Sequence, residues 1–313
     1  MRIGFIGNFD VGYSTESHHK RTFEKLGHEV ITFQENRTNV REIIERSGQI
    51  DMLYWTHTHG WRIGNDRDIR NMLSLFKAAG TPTVGYHLDL WMGLKRERDL
   101  QADPYWSIAH FFTVDKLMAE WLNKNTETRG YFLPAGVLED ECYFGEANKD
   151  RYPYDIIFTG SSHYHPEWPY RTQLIAWLHD TYGSRFGHYG PGGLPSLRGE
   201  ELNNLYASAK IVIGDSLCKN FDYPWYSSDR IFEVCGRGGF LIYPKIQGLE
   251  TFYKSDEVVL YDFNNFGQLK ELIDTYLEDK TAREIIRKNA FERTIHEHTY
   301  TSRIQTIIKT LDL

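Results

Sequence analysis

Residues 227–244 have the sequence SSDRIFEVCGRGGFLIYP, in which a short helical segment, a glycine cluster and an apolar run follow one another. Arg230 and Glu233 are three residues apart, so they share one face of a helix. The glycines that follow end the helix: Gly236, Gly238 and Gly239. The run 240–243 is predicted to form a buried parallel strand. A helix that leads directly into a buried strand is typical of a parallel α/β sheet.

The charged pair in this stretch has two interpretations. Arginine offers phosphate a two-pronged set of donors, and glutamate accepts hydrogen bonds from a sugar diol, so Arg230 and Glu233 suit a ligand with hydroxyls and phosphates. The alternative is an ion pair between the two on a solvent-exposed helix face. Spacing alone leaves both open.

Composition narrows the class of protein. The chain has 313 residues, which favours two domains of about 150 residues each. No apolar run approaches the roughly 18 residues of a membrane span, and the first residues lack a signal-peptide pattern. The three cysteines fit reduced thiols, so we expect a cytoplasmic protein. The net charge of −7 disfavours a broad nucleic-acid-binding face.

The first half of the chain alternates strands with helices, which predicts a doubly wound parallel sheet. A strand at 2–7, a glycine turn, a helix at 15–26 and a strand at 28–33 open it. The turn lacks the GxGxxG pattern of dinucleotide-binding folds. Further strands are expected at 50–55, 81–87, 109–114 and 129–136, with helices at 66–79 and from Asp115 to Leu122.

Polar side chains follow several of these strands, at the edge where such sheets bind ligands. Glu16, in the first helical turn, is a candidate acceptor-binding residue or simply a carboxylate that stabilises the helix dipole. His57 and His59 are candidate acceptor-binding residues; as a metal pair they lack further ligands at a recognisable spacing. His87 is the candidate acid/base residue and Asp89 its orienting partner, although a loop histidine satisfied by a carboxylate would look the same.

The second half repeats the plan. A polar segment at 138–154 without periodicity is interpreted as the connection between two domains. Strands are then expected at 154–162, 184–190, 210–216, 240–243 and 257–263, and helices at 171–182, 199–208, 266–278, 281–295 and 300–311. The pattern predicts two Rossmann-like domains that face each other across a cleft.

The turn after the first strand of this half is a candidate anion site. Gly160, Ser161 and Ser162 end a strand ahead of the helix that contains Arg171, and backbone N–H groups at such a turn bind anions. Together with Arg230 and Glu233, three strand ends of one sheet would carry groups suited to phosphate or a diol.

Residues 205–310 resemble the carboxy-terminal domain of the group 1 glycosyltransferases of GT-B fold, specifically the CgeB-like branch. The resemblance rests on the order and spacing of the segments DRIFE (229–233), Gly236 and Gly239, GLE (248–250), EVVLYDF (257–263), and HTY (298–300) followed by Arg303. The first half resembles the family in layout only.

The resemblance implies a GT-B glycosyltransferase, hexosyltransferase-like, with a nucleotide-diphosphate sugar as donor, a UDP-sugar above all. It implies that Glu233 binds the ribose hydroxyls and that Arg230, Gly160, Ser161 and Arg171 hold the diphosphate, beside Ser228 and Asp229. No cofactor and no metal are expected, and the stereochemistry is expected to be retaining. The expected domains are 1–145 for the acceptor, 146–295 for the donor, and a helix at 296–313 that crosses back to the first domain.

One position departs from the family pattern. The wider family often has two glutamates with seven residues between them, and Trp225 stands where the first would be. Two alternatives to an enzyme acting on a small acceptor therefore stay open. One is a nucleotide-sugar binding protein without turnover. The other is a glycosyltransferase that acts on a hydroxymethylated base in DNA, with the aromatic loops 163–170 and 221–226 stacking a flipped base, which the net charge disfavours.

Overall fold

The computed structural model describes residues 1–313 and divides into two compact units. Unit 1 comprises Met1–Pro134 and Arg303–Leu313, and unit 2 comprises Ala135–Ser302. Each unit has its own fully parallel sheet with helices between successive strands. The structure confirms the predicted fold class of two doubly wound α/β domains.

Unit 1 has a six-stranded sheet of order β2-β1-β3-β4-β5-β6. The four central strands are buried and rich in aromatic and branched side chains, as strands covered on both faces require. The two edge strands are partly exposed. Ser14, Asn65 and Asp115 cap the helices that begin at Thr15, Asp66 and Lys116 by accepting hydrogen bonds from first-turn N–H groups. The elements are β1 (Arg2–Gly7), α1 (Thr15–Lys25), β2 (Glu29–Gln34), α2 (Val40–Glu45), β3 (Met52–Trp55), α3 (Asp66–Ala78), β4 (Thr83–His87), β5 (His110–Thr113), α4 (Lys116–Asn125) and β6 (Arg129–Phe132).

Unit 2 has a five-stranded sheet of order β11-β10-β9-β7-β8, which changes winding direction between β7 and β9. Ligands of open α/β sheets bind at the carboxyl ends of the strands beside such a switch. The elements are β7 (Ile156–Thr159), α5 (Tyr170–Tyr182), β8 (Phe186–Tyr189), α6 (Gly199–Ser208), β9 (Ile211–Ile213), α7 (Arg230–Gly236), β10 (Leu241–Pro244), β11 (Val259–Tyr261), α8 (Phe266–Glu278) and α9 (Lys280–Glu297). A last helix, α10 (Tyr300–Thr310), follows.

The segment 138–154, interpreted from its sequence as a connection, packs within unit 2. The Asn203 side-chain amide of α6 donates to the carbonyls of Glu141 and Tyr143, at 3.0 and 2.9 Å. Gly145 lies so close to α6 that a Cβ there would come within 2.3 Å of the Asn203 backbone. Polar contacts order this segment, which is why no apolar periodicity marks it. None of the helices is long and apolar enough to cross a membrane.

Candidate functional site

The turn after β7 lies beside the Arg230 guanidinium. Arg230, the first residue of α7, donates through Nη1 to the Thr159 carbonyl and, at 2.9 Å, to Thr159 Oγ1. Gly160 has a φ of +127°, and a Cβ at this position would lie 2.6 Å from Arg230 Nη2. Glycine is required here for both reasons. The structure thus joins Arg230 to the Gly160 turn.

The hydrogen-bond donors beside this turn include two that have no partner in the chain. Arg230 Nε is buried without a hydrogen-bond partner, and buried polar groups of that kind call for an explanation. The N–H groups of Gly160 and Ser162 donate to Tyr189 and Pro191, whereas that of Ser161 bonds neither backbone nor side chain. A guanidinium N–H and a backbone N–H left open at one strand end are the groups that bind phosphate oxygens.

Glu233 pairs with Arg237 and not with Arg230. Its Oε2 accepts from Arg237 Nε at 2.8 Å, and its side chain keeps 21% of its surface exposed. Arg237 is buried and also donates to Glu141 Oε2 and to Asn203 Oδ1, the latter at 2.7 Å. The Arg230–Glu233 ion pair of the alternative interpretation does not form. Glu233 therefore presents its other carboxylate oxygen, Oε1, with no partner in the chain.

Arg171, predicted among the diphosphate-binding residues, is occupied by a buried carboxylate. Its Nε donates to Asp215 Oδ2 at 2.7 Å, and the two side chains are 3% and 0% exposed. Asp215 also accepts from Trp168 Nε1 at 3.0 Å, and burial raises the pKa of Asp215. Arg171 Nη1 reaches the Ser161 carbonyl at 3.4 Å. The geometry makes Arg171 a support of the turn.

Ser228 and Asp229 lead into α7. The Ser228 hydroxyl lies 3.1 Å from both the Asp215 carbonyl and Tyr243 Oη, and its N–H donates to Ser216 Oγ at 3.0 Å. Asp229 is exposed and its carbonyl accepts the first helical hydrogen bonds of α7. These residues fix the start of the helix that carries Arg230.

The two aromatic loops of unit 2 differ in what they expose. Trp168 is buried with its indole bound to Asp215, which excludes it from stacking on a ligand. Tyr164 is 38% exposed, with the Arg171 guanidinium 4.4 Å from its ring centre, and Phe221 is 40% exposed. Phe221 and Trp225 both have a positive φ of 63°, a backbone conformation that costs energy for bulky residues.

In unit 1, Glu16 lies over the end of β1. A Cβ on Gly7 would come within 2.7 Å of Glu16 Cγ. Glu16 is 8% exposed, and burial raises its pKa while hydrogen bonds from its own N–H, from Ser14 and from Asn8 oppose that rise. Glu16 is thus a buried carboxylate at the carboxyl edge of the sheet as well as a first-turn acid.

His57 is held by Glu35, a residue that the sequence analysis missed. Glu35 follows β2, is 0% exposed, and accepts from Trp55 Nε1 at 2.7 Å, from the Thr58 N–H at 2.8 Å and from His57 Nδ1 at 2.5 Å. The sequence signal was present, because Glu35 comes directly after a strand, as Glu16 follows the β1 turn. His59 is exposed, with its ring 5.6 Å from that of Trp91.

His87 ends β4 inside an aromatic cage. Its ring centre lies 5.1 Å from that of Trp106 and about 6 Å from those of Trp91 and Tyr105. Burial above all, with the nearby charges of His57 and others, holds the pKa of His87 well below its usual range. Its Nε2 is buried without a hydrogen-bond partner. The structure therefore does not contain the alternative given for His87, a loop histidine paired with a carboxylate. Asp89, the residue expected to orient His87, is half-buried two residues further along the chain.

In unit 1, burial lowers the pKa of His87 most, and the charges of His57 and His59 also reach His87 and help to lower it. In unit 2, Arg230 and the Gly160 turn lie in contact, supported by Arg171 and Ser228, with Glu233 one turn along α7. Besides Glu35, two further residues of the site are not predicted from the sequence: Asp215 and His188, whose Nε2 donates to the Gly160 carbonyl at 2.7 Å. Asp215 follows β9, so strand-end position also marked it; His188 lies within β8 and had no such signal.

A family model described as glycosyl transferase-like matches residues 170–309. The match spans most of unit 2, including Arg230 and Glu233. No curated protein matches the chain. Residues 170–309 are therefore similar to the glycosyl transferase-like family.

Solved structures resemble the whole chain. An alpha-glucosyltransferase in complex with UDP and a 13-mer DNA containing a HMU base has a TM-score of 0.70 at 13% identity, with 100% of each chain covered. Anabaena HepE in complex with UDP and glucose has a TM-score of 0.65 at 12% identity, covering 100% of this chain and 99% of that one. A glycosyltransferase from Rickettsia africae has a TM-score of 0.65 at 12% identity, with coverages of 99% and 97%. At such identities the likeness shows the fold, which is GT-B.

Proposed function

We propose that this GT-B glycosyltransferase moves a sugar, a hexose by resemblance, from a UDP-sugar to a hydroxyl acceptor. Unit 2 binds the donor through Arg230, Gly160, Ser161, Asp229 and Glu233, and Ser228 and Arg171 support that site. In unit 1, the acceptor-binding residues are Glu16, His57 and His59, and His87 and Asp89 are the residues of the reaction centre. We place the protein in the CgeB-like branch on its sequence pattern.

The observation that carries this proposal is the pair of open donors at the β7 turn. Buried Arg230 Nε and the Ser161 N–H have no partner in the chain. Arg230 Nη1 donates to Thr159, and the guanidinium lies 5.4 Å from the centre of the Phe158 ring. A diphosphate would satisfy both donors. Glu233 lies one helical turn from Arg230, and its open oxygen suits the ribose hydroxyls of the same nucleotide.

In the proposed sugar transfer, the main task of the protein is to stabilise the negative charge that develops on the leaving diphosphate. The acceptor oxygen bonds to the anomeric carbon, the bond to the β-phosphate oxygen breaks, and the nucleoside diphosphate leaves with the electron pair. The proton of the acceptor hydroxyl passes to the group that accepts its hydrogen bond. Negative charge grows on the β-phosphate, where fixed N–H donors and a guanidinium stabilise it. We propose that Arg230 supplies this positive charge without a metal and that the anomeric configuration is retained, as the resemblance implies.

His87 enters this proposal as a neutral group. Its lowered pKa makes it a poor proton acceptor at neutral pH. Its unsatisfied Nε2 instead suits a hydrogen bond to a hydroxyl of the sugar or the acceptor, with the aromatic cage fixing the ring.

A thermal-shift panel of nucleoside diphosphates and their sugars tests the donor assignment, because a ligand that binds only the folded state raises its stability. We expect UDP and UDP-sugars to raise the melting temperature most, and UDP-glucose to release UDP when hydroxyl acceptors are added. Binding without release, across all acceptors tried, would point to the binding protein without turnover. No shift with any nucleotide would refute the donor site.

A second candidate acceptor is a hydroxymethylated base in DNA. It is favoured by the likeness to an alpha-glucosyltransferase in complex with DNA that contains a HMU base and by the exposed rings of Tyr164 and Phe221, which suit stacking on a base. The test is glucose transfer from UDP-glucose to a duplex containing 5-hydroxymethyluracil at low ionic strength. Absence of both transfer and salt-sensitive DNA binding would remove this candidate.

A further inference from the structure

The buried pair formed by Glu35 and His57 has no role in the sequence resemblance. Glu35 is fully buried, and three donors converge on it: the Trp55 indole, the Thr58 N–H and His57 Nδ1. A carboxylate at zero exposure needs such partners, because an unpaired buried charge is costly. All three contacts come from β3 or the residues directly after it, so Glu35 ties the end of β2 to the edge where the acceptor residues lie.

These contacts determine the tautomer of His57. An ionised carboxylate only accepts hydrogen bonds, so His57 Nδ1 carries the hydrogen that points at Glu35 Oε1. In the neutral ring, Nε2 is then the acceptor, and it has no hydrogen-bond partner in the chain. Trp55 and Tyr105 flank the ring, at centroid distances of 5.9 and 4.8 Å, and hold it in place.

We propose that Glu35 is a positioning residue that locks His57 as the Nδ1–H tautomer, so that Nε2 accepts the hydrogen bond of an acceptor hydroxyl. The assignment rests on the proposed function for the identity of the ligand as a hydroxyl acceptor. It adds Glu35 to the site and gives His57 a defined atom and direction. A hydroxyl that donates to Nε2 leaves its oxygen lone pairs free to attack the anomeric carbon.

The first experiment measures the tautomer in the protein without ligand. Nitrogen–proton correlation NMR on histidine-labelled protein distinguishes the two neutral tautomers, and His57→Asn identifies the signals. We expect His57 as Nδ1–H in the natural protein. In Glu35→Gln, the amide offers one accepting oxygen and a donating NH₂, so it cannot receive three donors, and the tautomer ratio shifts toward Nε2–H. An Nε2–H ring in the natural protein, or an unchanged ratio in Glu35→Gln, would overturn the proposal.

The second experiment tests whether Nε2 is open to a ligand. Diethylpyrocarbonate reacts with unprotonated, accessible imidazole nitrogens, and peptide mass spectrometry locates the product. We expect modification of His57 in the natural protein and several-fold slower modification in Glu35→Gln. Exposed His296, whose Nδ1 bonds its own helix, is the internal reference and reacts equally in both proteins. An unreactive His57 would refute an open Nε2.

The third experiment uses methyl β-D-glucopyranoside as a hydroxyl probe and follows the His57 Nε2 signal. Asparagine at position 57 keeps a donor for Glu35 but lacks an acceptor at the Nε2 position, whereas glutamine places an oxygen there. We expect the probe to shift the His57 signal and to bind His57→Gln more tightly than His57→Asn. Equal binding to both would remove the hydroxyl contact. Because none of these readouts involves a nucleotide, their failure is distinct from failure of the donor site.

Discussion

Replacing Glu233 with alanine should remove donor binding and leave the fold nearly intact. The fold survives because Arg237, the buried partner of Glu233, still donates to Glu141 and to Asn203 Oδ1 in the variant. Removing the sole partner of a buried charge costs about 3–5 kcal/mol, whereas losing one of several hydrogen bonds costs about 1–2 kcal/mol. We therefore expect Glu233→Ala to lose about 1–2 kcal/mol of unfolding free energy.

We expect Glu233→Ala to weaken UDP binding far more than it weakens the fold. Two hydrogen bonds from a ribose diol to a carboxylate contribute about 3 kcal/mol together, which corresponds to roughly 150-fold in dissociation constant. At UDP about 100-fold above the natural protein's dissociation constant, the ligand stabilises that protein by about 2.7 kcal/mol but the variant by only about 0.3 kcal/mol. For a unit the size of residues 135–302, this means a rise of about 5–10 °C against about 1 °C.

The assay is differential scanning fluorimetry with and without UDP, with urea unfolding to measure intrinsic stability. Glu284→Ala is the matched control, since Glu284 forms a 2.9 Å ion pair with Arg287 on α9, outside the proposed site. The control should keep the full UDP shift. A full shift in Glu233→Ala would show that the donor site is misplaced, and a loss of more than about 4 kcal/mol in stability would contradict the account of Arg237.

Three further predictions follow from the same contacts. Gly160→Ala should abolish the rise in melting temperature with UDP, because the new Cβ would displace Arg230. The control is Gly183→Ala, also at positive φ but with no neighbour within 4 Å, which should lower stability and keep the UDP effect. Equal rises with UDP in both variants would refute this prediction. Asp215→Asn should cost about 3–5 kcal/mol in urea unfolding by leaving buried Arg171 unpaired, and adding Arg171→Leu should recover part of it; a loss below about 1 kcal/mol would contradict the pairing. His87→Phe should flatten the pH dependence of stability. The pKa of His87 is lowered in the folded protein, so the unfolded chain binds a proton first as pH falls below about 6.5. The natural protein therefore loses about 1.4 kcal/mol of unfolding free energy per pH unit below that pH. If the variant kept the same slope between about pH 6.5 and 5, His87 would not be buried as a neutral ring.

The order of the secondary structure could be predicted from the sequence because each element carries its own local signal. Helices α6 and α8 begin and end where their apolar periodicity predicts, and Asp115 caps α4 as expected from its position before the helix. Buried parallel strands can be recognised in the sequence as short apolar runs between turns rich in glycine and polar residues. The strand-end rule also located the Gly160 turn and the histidines of unit 1, because the edge of a parallel sheet follows from the chain order.

Partner choice among side chains could not be predicted in the same way, because it depends on residues far apart in the chain. Arg171 looked like a phosphate ligand until the fold brought Asp215, 44 residues away, against its Nε. Likewise, His57 and His59 are predicted as acceptor-binding residues from their position after a strand, but the contact between His57 Nδ1 and Glu35, 22 residues upstream, depends on the fold. In both cases a buried carboxylate decides what the cationic or imidazole group can still do.

In α7, the ion pair between Glu233 and Arg237 leaves Arg230 without a carboxylate partner on its own helix. Glu233 had two arginines in reach, Arg230 three residues before it and Arg237 four residues after it. A glutamate that precedes its cation by four residues has the more favourable helical geometry, and the structure contains that pair, at 2.8 Å. Because Arg237 holds Glu233, Arg230 is free to turn toward Thr159 and the Gly160 turn. The Arg230–Glu233 pair, which would make this helix face purely structural, is thus replaced by the Glu233–Arg237 pair. That pair leaves the Arg230 guanidinium and Glu233 Oε1 available to the nucleotide of the proposed donor.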